Sequence, residues 1–315
     1  MVWVKPYMLY SATASEYFRQ MMPATFIDRD LALIRAENPS PMTAEGTNSY
    51  ILGTTELAVI DPGPDDPAHL ARLLDVIDGR RVAAILVTHS HMDHSPLAPR
   101  LSNATGAPVL AYGDSHAGRS AQMTALAAQL DIGGGEGVDL GFAPHDTLQD
   151  GQILPLGADT ITAIWTPGHM GNHMCFLWRD HLFTGDHVMG WAPSLVSPPD
   201  GDMQAYMASL ARLQGVAARL YHPGHGAIID RPAARIAELV AHRVARERAI
   251  LQELDKAPAD ITSLVTRIYA GTPAALHKAA ARNVFAHLAD LHARAEVAAT
   301  PKLCPEASFA RMQTR

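Results

Sequence analysis

The chain has 315 residues, 48% of them hydrophobic and 18% charged, with a net charge of −7. That balance excludes a disordered chain and leaves room for more than one packed domain. Two cysteines, Cys175 and Cys304, exclude a disulfide framework and a thiolate metal cage, whereas sixteen histidines direct attention to metal binding.

Residues 1–25 read as an N-terminal extension. Trp3, Lys5, Tyr7 and Arg19 interrupt it, so the apolar core of a signal peptide is not expected. No run reaches the length of a membrane span, and the cytoplasm is the expected location. Residues 26–36 carry strand-like runs. Tyr50-Ile51-Leu52-Gly53 and Leu57-Ala58-Val59-Ile60 predict a hairpin around Thr54-Thr55, ended by Asp61-Pro62-Gly63-Pro64. From Pro67 to Asp78, His69, Leu70, Leu73, Leu74 and Ile77 recur at helical spacing. A strand Val82–Val87, a helix from about Ser95 and a short strand Pro108–Ala111 follow. Gly133-Gly134-Gly135 is expected to be a flexible loop, because the Lys and Ser/Thr of a phosphate cradle are missing.

Thr88-His89-Ser90-His91-Met92-Asp93-His94 places four metal-capable side chains just beyond a buried strand. His89 and His91 are two apart, so in an extended segment they share a side. Asp93 and His94 follow the turn and can face a second point. Imidazole pairs suit zinc, and an Asp–His pair suits another first-row ion. Three further strand ends each present one such residue beside a glycine: Thr166-Pro167-Gly168-His169, Thr184-Gly185-Asp186 and His222-Pro223-Gly224-His225. Any one of these alone reads as an ordinary loop residue. Together with the first cluster they make seven candidate ligands.

His-x-His-x-Asp-His, then Gly-His, Gly-Asp and Gly-His, with Asp61 ahead of them, resembles the metallo-β-lactamase-fold hydrolases. The resemblance spans about residues 26–230. It implies an α+β fold, a four-layer αβ/βα sandwich with a dinuclear metal site at one edge. By motif, His89, His91 and His169 would hold one ion, Asp93, His94 and His225 the other, and Asp186 would bridge them. Asp61 would support the ligand loop. Asp stands where several true β-lactamases carry a cysteine ligand, which places the chain nearer the glyoxalase-II-like and nuclease-like members. Two divalent ions, zinc first and iron or manganese as alternatives, would share a solvent molecule and make a bridging hydroxide available near neutral pH. Asp93 would orient it. His173 is a candidate proton donor to the leaving group, with a packing role as the alternative. His145, His187 and His222 read as structural or peripheral.

Charge changes sign near residue 230. Residues 1–230 hold 12 Lys+Arg against 24 Asp+Glu, and residues 231–315 hold 13 against 8, so −12 and +5 sum to −7. The second part is helical in pattern. Pro232–Leu254 puts Ile236, Leu239, Val240, Val244, Ile250 and Leu251 mostly on one face, with His242, Arg243, Arg246, Glu247 and Arg248 on the other. Asp260–Tyr269 and Ala274–Ala295 predict two more helices, the last with Leu276, Val284, Leu288 and Leu291 inward. Residues 231–298 resemble the small winged-helix domain of the β-lactamase-like-2 branch, which includes a mitochondrial single-strand endoribonuclease; residues 299–315 are read as a tail. Two functions compete: hydrolysis of a small ester, thioester or related acyl substrate, and cleavage of single-stranded RNA tracked by the basic helical face. The oligomeric state stays open, a homodimer included.

Overall fold

The computed structural model describes residues 24–129 and 137–312. The expected 1–23 part of the extension and the Gly133–Gly135 loop lie outside them. Seven strands form the first sheet in chain order: β1 Thr25–Asp28, β2 Leu31–Arg35, β3 Asn48–Leu52, β4 Glu56–Ile60, β5 Arg81–Leu86, β6 Val109–Ala111 and β7 Asp146–Thr147. The second sheet runs β12-β11-β10-β9-β8, with β8 Ile153–Leu156, β9 Asp159–Trp165, β10 Met174–Trp178, β11 His181–Gly185 and β12 Leu220–Pro223. The hairpin expected at Thr54-Thr55 is β3–β4. β4 and β5 are parallel, joined through α1 Pro67–Ile77. Pro67 opens that helix, and Asp66 caps it by accepting from the Ala68 amide at 2.9 Å, a contact contributing about 1 kcal/mol.

Four layers follow from where apolar side chains meet. α1 and α2 (Ala98–Thr105) cover one face of the first sheet through Leu73, Ile77 and Leu101. Tyr50, Leu52, Ile60, Leu86, Phe176, Trp178 and Phe183 fill the space between the sheets. α4 (Met203–Leu213) covers the outer face of the second sheet through Met203, Tyr206, Leu210 and Leu213. β3 and β11 are buried at every position, as strands covered on both faces should be.

A separate core holds the C-terminal part. α5 (Pro232–Lys256) leads to α6 (Ile261–Ile268), α7 (His277–Ala293) and a hairpin of β13 (Val297–Thr300) with β14 (Ser308–Arg311). Ile250, Leu254, Leu264, Phe285, Leu288 and Phe309 pack together there, and α3 (Ala121–Ala127) reaches them through Met123 and Leu126. Three expectations change. Residues 299–312 are not a tail: β14 completes the hairpin and buries Phe309. Val244 and Leu276 face solvent, at 44% and 37% exposure. Arg243 is not on a basic outer face. It is 2% exposed and lies on the stripe of Ile236, Leu239, Ile250 and Leu254. No helix among the described residues is long and apolar enough to cross a membrane.

Candidate metal centre

Five strand ends converge at one edge of the sandwich. β4 ends at Asp61, β5 leads into His89–His94, β9 into His169, β11 into Asp186 and β12 into His225. Backbone hydrogen bonds lock these ends together. The Met174 amide donates to Thr88 O at 2.7 Å, Gly224 N to Gly185 O at 2.8 Å and Asn48 N to Gly224 O at 2.7 Å. Glycine is required at Gly224, because a Cβ there would lie 2.5 Å from Asp186 Oδ1 and 2.6 Å from His94 Cε1. At Gly185, φ is +46°, and a Cβ would meet His173 Nε2 and Thr88 Oγ1 at 2.7 Å.

All seven predicted ligands meet here in two groups: His89, His91, His169 and Asp186, and Asp93, His94 and His225. Within each group one ligand atom per residue lies within 4.8 Å of the others. His91 Nδ1 sits 2.9 Å from His89 Nε2 and 3.0 Å from His169 Nε2. One N–H cannot satisfy both neighbours, so lone pairs face each other and call for a cation. In the second group His225 Nε2 is 3.1 Å from Asp93 Oδ2 and 3.3 Å from His94 Nε2. Asp186 lies between the groups. Its Oδ2 is 3.4 Å from His225 Nε2 and 3.8 Å from His169 Nε2, and its buried Oδ1 has no hydrogen-bond partner. A divalent cation fits that orphaned oxygen and those converging donors.

The remaining ring nitrogens explain why the donors are ready. Thr88 Oγ1 donates to Asp61 Oδ2 at 2.7 Å, so it can only accept from His89 Nδ1, 2.9 Å away. His94 Nδ1 meets Asp61 Oδ2 at 2.9 Å, His169 Nδ1 meets Leu195 O at 2.7 Å and His225 Nδ1 meets Gly46 O at 3.2 Å. In each case the proton is held on Nδ1, and Nε2 is left as the donor facing the site. Asp61 also accepts the Thr88 amide at 2.7 Å, and it does so from a left-handed backbone with φ of 50°. A residue held so is fixed by what surrounds it.

Electrostatics separates the two groups. Burial pushes the His89, His91 and His169 imidazoles down, His91 to about 3, so they are neutral donors. Burial also opposes a charge on His94 and His225, yet the neighbouring carboxylates outweigh it. His94 is held well above the ordinary range by Asp93, Asp186 and Asp61, and His225 is raised to about 9, chiefly by Asp186. Against their own burial, Asp93 and Asp186 are held well below the usual carboxylate range by His94 and His225. Protons on the two histidines balance the carboxylates wherever a cation does not.

His173 does not fit the proton-donor role. It is completely buried under the cluster, its ring 5.2 Å from that of His89. Nδ1 pairs with Thr166 Oγ1 at 2.9 Å, Nε2 faces the Gly185 backbone, and burial keeps the ring neutral. Elsewhere, His222 pairs with His181 at 2.8 Å, His145 Nδ1 accepts from the Val109 amide, and His187 is buried beside Tyr206. Residues not singled out from the sequence also shape the site. Thr47 Oγ1 donates to Asp93 Oδ2 at 3.2 Å, and Thr88, Gly46 and Leu195 hold ring protons. Thr88 was adjacent to the motif; Leu195, reached only through folding, left no local signal.

Residues 42–225 match the metallo-beta-lactamase superfamily, and residues 261–302 match the beta-lactamase associated winged helix domain. The lactamase-like protein adaB of Aspergillus niger is 30% identical over 261 residues, 77% of this chain and 74% of the relative. An atrochrysone carboxyl ACP thioesterase of Aspergillus fumigatus is 30% identical over 226 residues, 69% of this chain and 62% of the relative. Among solved structures, a metallo-beta-lactamase family protein from Thermus thermophilus superposes with a TM-score of 0.71 at 25% identity, over 90% of this chain and 99% of the other. A beta-lactamase domain protein from Burkholderia ambifaria reaches 0.74 at 21% identity, over 92% and 93%, and carries the fold alone. The chain belongs to the metallo-beta-lactamase superfamily of hydrolases, with the beta-lactamase-associated winged-helix domain in its C-terminal part.

Proposed function

We propose that the chain hydrolyses thioesters of bulky apolar acyl groups with two divalent ions. His89, His91 and His169 would hold one, Asp93, His94 and His225 the other, and Asp186 both. Zinc suits the nitrogen-rich set, and iron or manganese is compatible with the same donors. Bound there, the ions supply a water of lowered pKa and a Lewis acid toward the substrate carbonyl. Asp93 contributes a half-buried carboxylate at the open side of the cluster, steadied by Thr47, where it can orient a water. Burial of His89, His94, His169 and His225 excludes bulk water from the far side.

The two converging donor sets carry the hydrolase reading. The acyl preference is supported by the rim. Met92, between His91 and Asp93, is exposed, as is Met42 on the loop leading to Thr47. Trp191 is 43% exposed and lies so close to Gly226, the residue after His225, that a Cβ there would sit 2.6 Å from its ring. Apolar side chains exposed on these site loops suit an acyl chain better than a phosphodiester backbone. The relative that is a carboxyl ACP thioesterase supports a thioester. RNA cleavage is the weaker reading, because Arg243 is turned inward and the proposed basic track is broken. Zinc-loaded protein assayed on a panel of acyl thioesters and on labelled single-stranded RNA tests the proposal. Thioester turnover that rises with acyl size is expected; RNA cleavage without thioester turnover would overturn it.

A further inference from the structure

Between Asp186 and α4, residues 188–199 form a strap without regular structure that joins the metal centre to the C-terminal helices. On the inner side, Leu195 O accepts from His169 Nδ1 at 2.7 Å, and Ser194 Oγ is within hydrogen-bond reach of the carbonyls of Asp186 and His187. On the outer side, α5 and α7 grip the same strap. Arg235 donates to Met189 O at 2.7 Å and Ala192 O at 3.1 Å, and Arg282 donates to Ser197 Oγ at 2.8 Å and Pro198 O at 2.6 Å. Arg243 donates to Ser194 O and, at 3.0 Å, to Asn283 Oδ1, which also accepts the Val196 amide at 3.1 Å. Ser194 and Val196 are the two neighbours of Leu195. The carbonyl that fixes His169 is therefore held on both sides by one pair, buried Arg243 of α5 and half-buried Asn283 of α7.

We infer that Arg243 and Asn283 are positioning residues for the donor set His89, His91 and His169. They fix the Leu195 carbonyl, which keeps the His169 proton on Nδ1 and Nε2 toward the ion. The other set is braced from within the catalytic part, by Asp61 on His94 and Gly46 on His225. Loosening the strap then weakens one ion and spares the other. The inference rests on the two-ion reading above and adds a specific partner to it.

Zinc titration against a chromophoric chelator, with cobalt absorption spectra of the same proteins, tests it on the full chain. Groups that orient a metal-binding histidine are typically worth about 10–100-fold in affinity. Asn283→Ala should weaken one of two zinc sites by about 10-fold or more and alter the cobalt spectrum, leaving the second site unchanged. Asn283→Asp keeps an acceptor for both Arg243 and the Val196 amide and should restore wild-type binding. Arg248→Ala, on the exposed side of α5, should change nothing. Arg243→Ala removes a buried cation and can fail to fold, so Asn283→Ala with an unchanged circular dichroism spectrum decides. Two zinc ions in the wild type with both sites of Asn283→Ala unaltered, or weakened alike, would overturn the inference and leave the two-ion reading standing. No zinc bound by the wild type would overturn both.

Discussion

His94 and His225 share their carboxylates with whatever cation is present, so at this site a proton and a metal ion compete. His225 is raised to about 9 from an ordinary 6.5. A folded value above the unfolded one means that the protonated form stabilises the fold. That contribution is full below about 6.5 and is lost as pH rises through about 9. Metal-free protein should therefore lose thermal stability between about pH 6.5 and pH 9, whereas zinc-loaded protein should not. Melting curves of both forms across that range check this; parallel curves would show that His225 does not carry the compensating proton. The histidine–aspartate spacing made this cluster of candidate ligands legible in the sequence, because a residue beside glycine at a strand end needs only local geometry to be presented. Arg243 was legible too and was misread. It lies seven residues from both Ile236 and Ile250, on the inward stripe. Its charge argued for solvent, but Ser194 O and Asn283 accept from its two Nη groups inside, and the Tyr206 ring lies 5.1 Å away. For His173 the sequence left a proton-donor and a packing role open, because its spacing from His169 says nothing of its depth, and the side chain is fully buried.

Turns and straps decide the site as much as the ligands do. Gly224 sits where Asp186 and His94 leave no room for a Cβ. Gly224→Ala should displace one of them and cost at least one ion, while the strands on either side stay paired. Metal analysis with circular dichroism checks this, and full metal content in the variant would mean the turn can yield. Trp191 belongs to the strap, where Arg235 holds the carbonyls on either side of it, Met189 and Ala192. Trp191→Ala should raise KM for a long-chain or aromatic acyl thioester about tenfold, roughly the 1–3 kcal/mol of a lost apolar contact, and leave an acetyl thioester nearly unchanged. Equal effects on both would remove Trp191 from the substrate's path. Hairpin β3–β4, α1 and the strands before each candidate ligand followed from short apolar runs and helical period. α4 carried the same signal, with Asp202 as its cap and Met203, Tyr206, Leu210 and Leu213 in register, yet no helix was expected there from the sequence. β14 had no such signal. Phe309 stands alone in a polar segment, and only its fit into the C-terminal core makes it a strand.

At the scale of the whole molecule, the catalytic and C-terminal parts share surface. Ile236 and Leu239 of α5 and Ala286 of α7 pack with Leu182, Val196, Tyr206 and Leu210. Burial of each large side chain contributes about 1.5–3 kcal/mol, against a whole-domain stability of about 5–15 kcal/mol. Truncation after residue 230 should therefore give insoluble or strongly destabilised protein, not a free catalytic unit. A soluble truncated chain that melts like the full one would refute the shared surface. The sign change in charge suggested a boundary near residue 230, but the interlocking contacts across it come from residues far apart in sequence and could not be read there. The central claim is that two divalent ions bridged by one carboxylate make this chain a hydrolase. The most direct measurement is metal content per chain by mass spectrometry for the wild type and Asp186→Asn, with thioester turnover of the same samples. The account predicts two ions in the wild type and weakened binding of both in Asp186→Asn, with turnover falling in step. One ion in the wild type, or full turnover in Asp186→Asn stripped of metal, would contradict it.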